Sequence, residues 1–69
     1  MKEGLFLMEM GAKIKAIRKA KNISLETLSK EHGFDRSNLS RLEAGKVNPR
    51  TLTLKLIAEK LGVDLKDFL

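Results

Sequence analysis

The chain has no cysteine, no tryptophan and no tyrosine, and it has a single histidine and a single proline. Without cysteine there is no disulfide and no thiolate zinc site, the devices small secreted scaffolds use when their core is too small. The expected setting is therefore a reducing cytoplasm. With His32 alone, a histidine-rich metal site is excluded as well, so no metal and no other cofactor is expected. The run "LFLM", Leu5 to Met8, is far shorter than the ~20 residues needed to cross a bilayer. It is also shorter than the apolar stretch of a signal peptide, and no small-residue cleavage site follows it. No stretch alternates cleanly enough to be a strand. The carboxylates form no acid/base pair, and there is no Gly-rich phosphate loop and no nucleophile motif. An enzyme is not expected.

What is present is small, basic and aliphatic. The 69 residues allow one domain. A chain this short buries only about 60% of its unfolded surface, so short helices must share one core. Apolar residues make up 42% of the chain, enough for a modest core and too many for disorder. The net charge is +5 and the isoelectric point is near 9.8. Such a charge suits a polyanionic partner, but it also serves solubility.

Periodicity and punctuation predict an all-α domain of five helices. Met10, Ile14 and Ile17 form a stripe on a first helix over Gly11–Lys21, and Asn22 suits a left-handed helix end. Ser24 is a good N-cap for a second helix, with Glu26 in its first turn and Leu25 and Leu28 facing inward. His32 lies at the end of this helix, where a cation complements the dipole. Phe34 is an apolar plug in the turn after Gly33. Asp35 caps a third helix that ends before Gly45, and "KVNPR" is a loop. Leu54, Ile57, Ala58 and Leu61 define a fourth helix over Leu52–Leu61, closed by Gly62. "VDLKDFL" forms a short fifth, capped by Asp64.

The third helix raises the question of function. On a helical wheel Leu39 and Leu42 lie about 60° apart and mark its buried side. Ser37, Ser40, Arg41 and Ala44 lie opposite, with Arg36 at the edge. Small residues let a helix approach another surface closely, and arginine forks match guanine edges or phosphates. An α-helix fits the major groove of B-DNA. Helix, short turn containing Gly, helix is also the helix-turn-helix unit, and Gly33 suits the reversal. A polar outer face is equally what any surface helix has, so the pattern alone leaves both readings open.

The stretch "KIKAIRKAKNISLETLSKEHGFDRSNLSRLEAGKVNP" and the later "LKLIAEKLGVDLKDFL" resemble the Cro/repressor-type helix-turn-helix family, also called the xenobiotic-response-element family. The likeness covers about Met10 to Leu69, with the turn Gly, Glu43, Gly45 and Pro49 in register. It implies a five-helix lambda-repressor-like DNA-binding domain over residues 10–69, a helix-turn-helix unit over about 24–44, and residues 1–9 as an N-terminal extension. It implies a sequence-specific regulator of transcription, a repressor that binds double-stranded DNA as a homodimer on a two-fold operator. Base edges would be read by Arg36, Ser37, Ser40 and Arg41. Phosphates would be held by Asn38, Lys46, Asn48 and Arg50. Arg18 and Glu43 would form a structural ion pair. Dimers of this class form after the fourth helix, which makes Val63, Leu65, Phe68 and Leu69 interface candidates. Two positions depart from the family: Leu25 stands where a phosphate-contacting Gln is usual, and Ser29 replaces a usual Ala.

Leu52 and Leu56 lie outside the stripe of the fourth helix, and Leu5 to Met8 have no assigned place. They cover each other within one chain or serve a partner. The alternative function is a protein-interaction adaptor or antitoxin-like module on the same fold. A membrane-surface role is more distant, because the basic residues border no single apolar stripe.

Overall fold

The computed structural model describes residues 2–69, with Lys2, Glu31 and His32 described for their backbone alone. The expected role of His32 at its helix end lies outside the described residues. The chain forms α1 (Lys2–Ala20), α2 (Leu25–His32), α3 (Arg36–Glu43) and α4 (Thr51–Leu61), followed by a 3-10 turn (Leu65–Phe68). The expected fifth helix is thus one turn of 3-10 helix. Four residues are too few to close regular i→i+4 bonds, and tighter turns are used in such short pieces. Among the described residues there is no strand.

Local chemistry accounts for most element ends. Ser24 Oγ accepts from the Thr27 N–H at 3.0 Å, which caps α2. The Asp35 carboxylate accepts from the Ser37 N–H at 3.2 Å at the start of α3. Asn22 takes a left-handed φ of 58° after α1. The Ile23 N–H then returns to the Arg18 carbonyl at 3.1 Å, satisfying an end-of-helix acceptor. Gly62 ends α4 in the same way at φ 69°, and the Val63 N–H bonds to the Ala58 carbonyl at 3.0 Å.

The core joins Met10 and Ile14 of α1, Leu28 of α2, Leu39 and Leu42 of α3, and Leu54, Ile57, Ala58 and Leu61 of α4. Phe68 completes it and is fully buried. This corrects the expectation that Phe68 lies at a dimer interface. As the largest fully buried side chain, it closes the core from the tail. Lys13 Nζ helps to hold the tail down, donating to the main-chain oxygen of Leu69 at 2.9 Å. Among the described residues no helix is long and apolar enough to cross a membrane.

The first helix starts at Lys2, not at Gly11, so residues 2–9 continue it. Gly11 looks like punctuation in the sequence, but its role is close approach. It is buried where α1 crosses the end of α3. A Cβ there would lie 2.6 Å from the Glu43 carbonyl oxygen and closer still to that of Leu42. Both are backbone atoms, so only glycine lets the helices meet. Leu7 packs against the core, while Leu5, Phe6 and Met8 stay exposed. Leu52 and Leu56 of α4 also remain exposed.

Two glycines of one helix should therefore respond oppositely to alanine. A Cβ at Gly4 would meet nothing within 4 Å. Gly4→Ala should stabilise the chain by about 0.5–1 kcal/mol, the usual gain from helix propensity and a less flexible unfolded state. Gly11→Ala should destabilise it by about 1–3 kcal/mol through overpacking. Urea unfolding of both variants measures this. A stabilising Gly11→Ala would show that α1 does not approach α3 so closely.

Candidate nucleic-acid interface

α2, the turn at Gly33 and α3 form a helix-turn-helix. Gly33 has φ 66° and ψ 17°, a left-handed conformation. Nothing lies within 4 Å of a Cβ built there, so its backbone freedom, not space, makes glycine suitable. Phe34 is half-buried against the core directly after the turn. In α2, Ser29 is buried and donates to the Glu26 carbonyl at 2.8 Å, so its hydroxyl is satisfied within its own helix. Leu25 is half-buried against the core and offers no polar group at the start of α2.

α3 divides sharply between its two sides. Leu39, Leu42 and Glu43 are buried, and Arg36, Ser37, Asn38, Ser40, Arg41 and Ala44 are exposed. The four expected base-reading residues thus share one open face. Arg41 Nη1 donates to Asn38 Oδ1 at 3.1 Å on this face. Lys46, Asn48 and Arg50 are exposed in the loop that follows. Asn38, Asn48 and Arg50 line one open cleft of about 520 Å³ between α3 and the start of α4. Its floor includes Phe34, Leu39 and Val47. Three of the four expected phosphate contacts are therefore brought together, while Lys46 lies outside this cleft.

The orientation of α3 is set from behind. Glu43 faces α1, where its carboxylate meets Arg18 in a two-pronged ion pair. Arg18 Nε donates to Glu43 Oε2 at 2.7 Å and Nη2 to Oε1 at 3.1 Å. Their side chains are only 8% and 6% exposed. The remaining prong is used too, since Arg18 Nη1 donates to the Ile23 carbonyl at 2.7 Å. One guanidinium thus ties α1, the α1–α2 turn and the end of α3. The expected pair forms; the Ile23 contact has no signal in the sequence, because a backbone carbonyl is available at every residue.

The interface candidates at the tail separate. Val63 and Leu65 are half-buried beside Lys55 and Glu59 of α4, and Leu69 is exposed. Among the described residues, no group of three or more acidic or histidine side chains is placed to hold a metal ion.

Known proteins are similar to this chain in sequence and fold. Residues 14–68 match the family model described as "Helix-turn-helix". An immunity repressor protein of Bacillus phage phi105 is 34% identical over 58 residues, 84% of this chain and 40% of the repressor. The uncharacterized HTH-type transcriptional regulator y4dJ of Sinorhizobium fredii is 35% identical over 54 residues, 78% of this chain and 70% of that protein. This chain thus spans less than half the length of the phage repressor. Among solved structures, the restriction-modification controller protein C.AhdI of Aeromonas hydrophila superposes with a TM-score of 0.87 at 28% identity. The superposition covers 91% of this chain and 96% of the controller.

The burial of the Arg18–Glu43 pair sets the cost of breaking it. Glu43→Ala leaves a buried guanidinium charge without its partner and should cost about 3–5 kcal/mol. The Glu26–Lys30 pair of α2 gives the contrast, with side chains 67% and 77% exposed. Glu26→Ala should cost about 0–1 kcal/mol, the worth of a screened surface pair. Denaturant titration of the two variants compares them directly. Equal, small losses would mean that water reaches Arg18.

Proposed function

This chain belongs to the helix-turn-helix family, and on that premise we propose that it is a sequence-specific, double-stranded-DNA-binding regulator of transcription. It acts as a repressor, laying α3 in the major groove. One observation carries the reading: α3 presents Arg36, Ser37, Ser40 and Arg41 together on an exposed face, while Glu43 locks its other side to α1. The face therefore arrives at DNA already oriented. Arginine forks supply donors for guanine edges, and the two serines keep the helix surface low enough for close approach. Lys46, Asn48 and Arg50 flank this face and hold phosphates, which fix register without reading sequence. The net charge of +5 adds attraction to the polyanion. The setting is the cytoplasm of a bacterial cell, where such DNA is found.

One recognition helix contacts only a few base pairs. The chain therefore binds as a homodimer, with half-sites about 34–36 Å apart. The dimer surface is the apolar region after α4, where Val63 and Leu65 are half-buried and Leu69 is exposed.

Affinity across salt concentrations, on a selected site and on random DNA, tests the reading. Arg36→Ala and Arg41→Ala should each lose about 1–3 kcal/mol on the selected site and little on random DNA. Lys46→Ala and Arg50→Ala should weaken both alike and make the salt slope shallower by about one unit each. A chain that binds no DNA, but captures a protein through the same face, would replace the proposal with the adaptor role.

Sedimentation at several concentrations, with and without operator, tests the assembly. The chain should form a weak dimer in solution and a firmer one on DNA. Leu69→Glu should weaken the dimer while each monomer stays folded. A monomer at every concentration that binds DNA one-to-one would sink the two-fold arrangement.

A further inference from the structure

We infer that Asn38 is a positioning residue for Arg41, and that Arg41 so held reads a guanine in each half-site. The inference rests on the DNA-reading role proposed for α3. Asn38 and Arg41 stand at i and i+3, neighbours on a helix surface. Their 3.1 Å bond runs from Arg41 Nη1 to Asn38 Oδ1. The direction of the amide is dictated by chemistry: arginine carries only donors, so the oxygen of Asn38 must face it.

Both residues are exposed, so the bond does little for folding. Its effect is on where the guanidinium waits. A long side chain loses rotamer freedom when it is immobilised at an interface. A bond made before DNA arrives removes part of that loss from the binding step. The bond uses one Nη1 hydrogen of the five N–H donors. The edge formed by Nε–H and an Nη2–H is left whole. That edge is a two-donor fork, which matches the paired acceptors O6 and N7 of guanine. Adenine offers N7 beside its N6 amino donor, so one prong of the fork would meet a donor. A side chain fixed in this way therefore prefers guanine, where a free one could turn to a phosphate. Asn38 thus acts through Arg41, in contrast to the phosphate contact that the family likeness implies.

Selection from a random DNA pool tests this, combined with binding measured across salt concentrations. The chains compared are the wild type, Asn38→Ala, Asn38→Asp, Arg41→Ala and the Asn38→Ala/Arg41→Ala double variant. The wild type should enrich guanine at one position per half-site, and Arg41→Ala should abolish that preference. Asn38→Ala should lower the preference about two- to tenfold, the effect of freeing one long side chain. Its salt slope should not change. Asn38→Asp keeps an acceptor oxygen and should retain the preference. The double variant should be no less selective than Arg41→Ala, since the two residues act as one unit. The inference is overturned if Asn38→Ala weakens all sequences alike and leaves the guanine preference intact, which marks a phosphate contact made by the uncharged amide itself. It is overturned equally if Asn38→Ala unfolds the chain, which would make the bond structural. A wild-type chain that enriches no sequence overturns the DNA-reading role itself, and this inference with it.

Discussion

The buried ion pair between Arg18 and Glu43 is the constraint on which the rest of the structure depends. α3 has eight residues, too few to be a stable helix alone in water. Leu39 and Leu42 attach it to the core, but two leucines leave it free to roll. The pair removes that freedom, because both carboxylate oxygens of Glu43 are engaged by one rigid guanidinium. The third bond, to the Ile23 carbonyl, fixes the guanidinium in turn. Burying two charges is costly in itself, and their attraction offsets that cost only when the geometry is good and further hydrogen bonds are made. Here three donor positions are used. The pair therefore contributes less to net stability than to a single defined orientation of α3.

That arrangement separates folding from recognition. Everything that holds α3 in place lies on its inner side: two leucines, one glutamate and the close contact at Gly11. The outer residues carry no packing duty. The exposed side chains proposed to read bases can thus be changed with little effect on the fold, since exposed positions contribute little to stability. The caps of α2 and α3 serve the same end, because Ser24 and Asp35 satisfy helix-end donors within the chain.

The tail closes the core instead of offering it to a partner. Phe68 is wholly buried, and Lys13 reaches the main chain of Leu69. The apolar surface after α4 is correspondingly smaller than the sequence suggests. It consists of the half-buried Val63 and Leu65 with the exposed Leu69. Among the described residues, the large exposed apolar side chains elsewhere are Leu5, Phe6 and Met8 of α1, with Leu52 and Leu56 of α4.

Sequence alone determined the elements whose cause is local. Caps at Ser24 and Asp35, left-handed ends at Asn22 and Gly62, the turn at Gly33 and the apolar stripes of α2, α3 and α4 all depend on residues within a turn or two of one another. Family likeness added the Arg18–Glu43 pairing, which periodicity could not supply. Tertiary structure decided what depends on distant partners. Gly11 reads as a helix start, yet it lies within α1, since the carbonyls that require a glycine belong to α3. Family likeness makes Phe68 a dimer-interface candidate, but it is core, because the gap it fills is made by other helices. Asn38 and Arg41 have helix-neighbour spacing in the sequence. That this pair stays exposed on the outer side of α3 was settled only once α3 lay with its leucines and Glu43 turned inward.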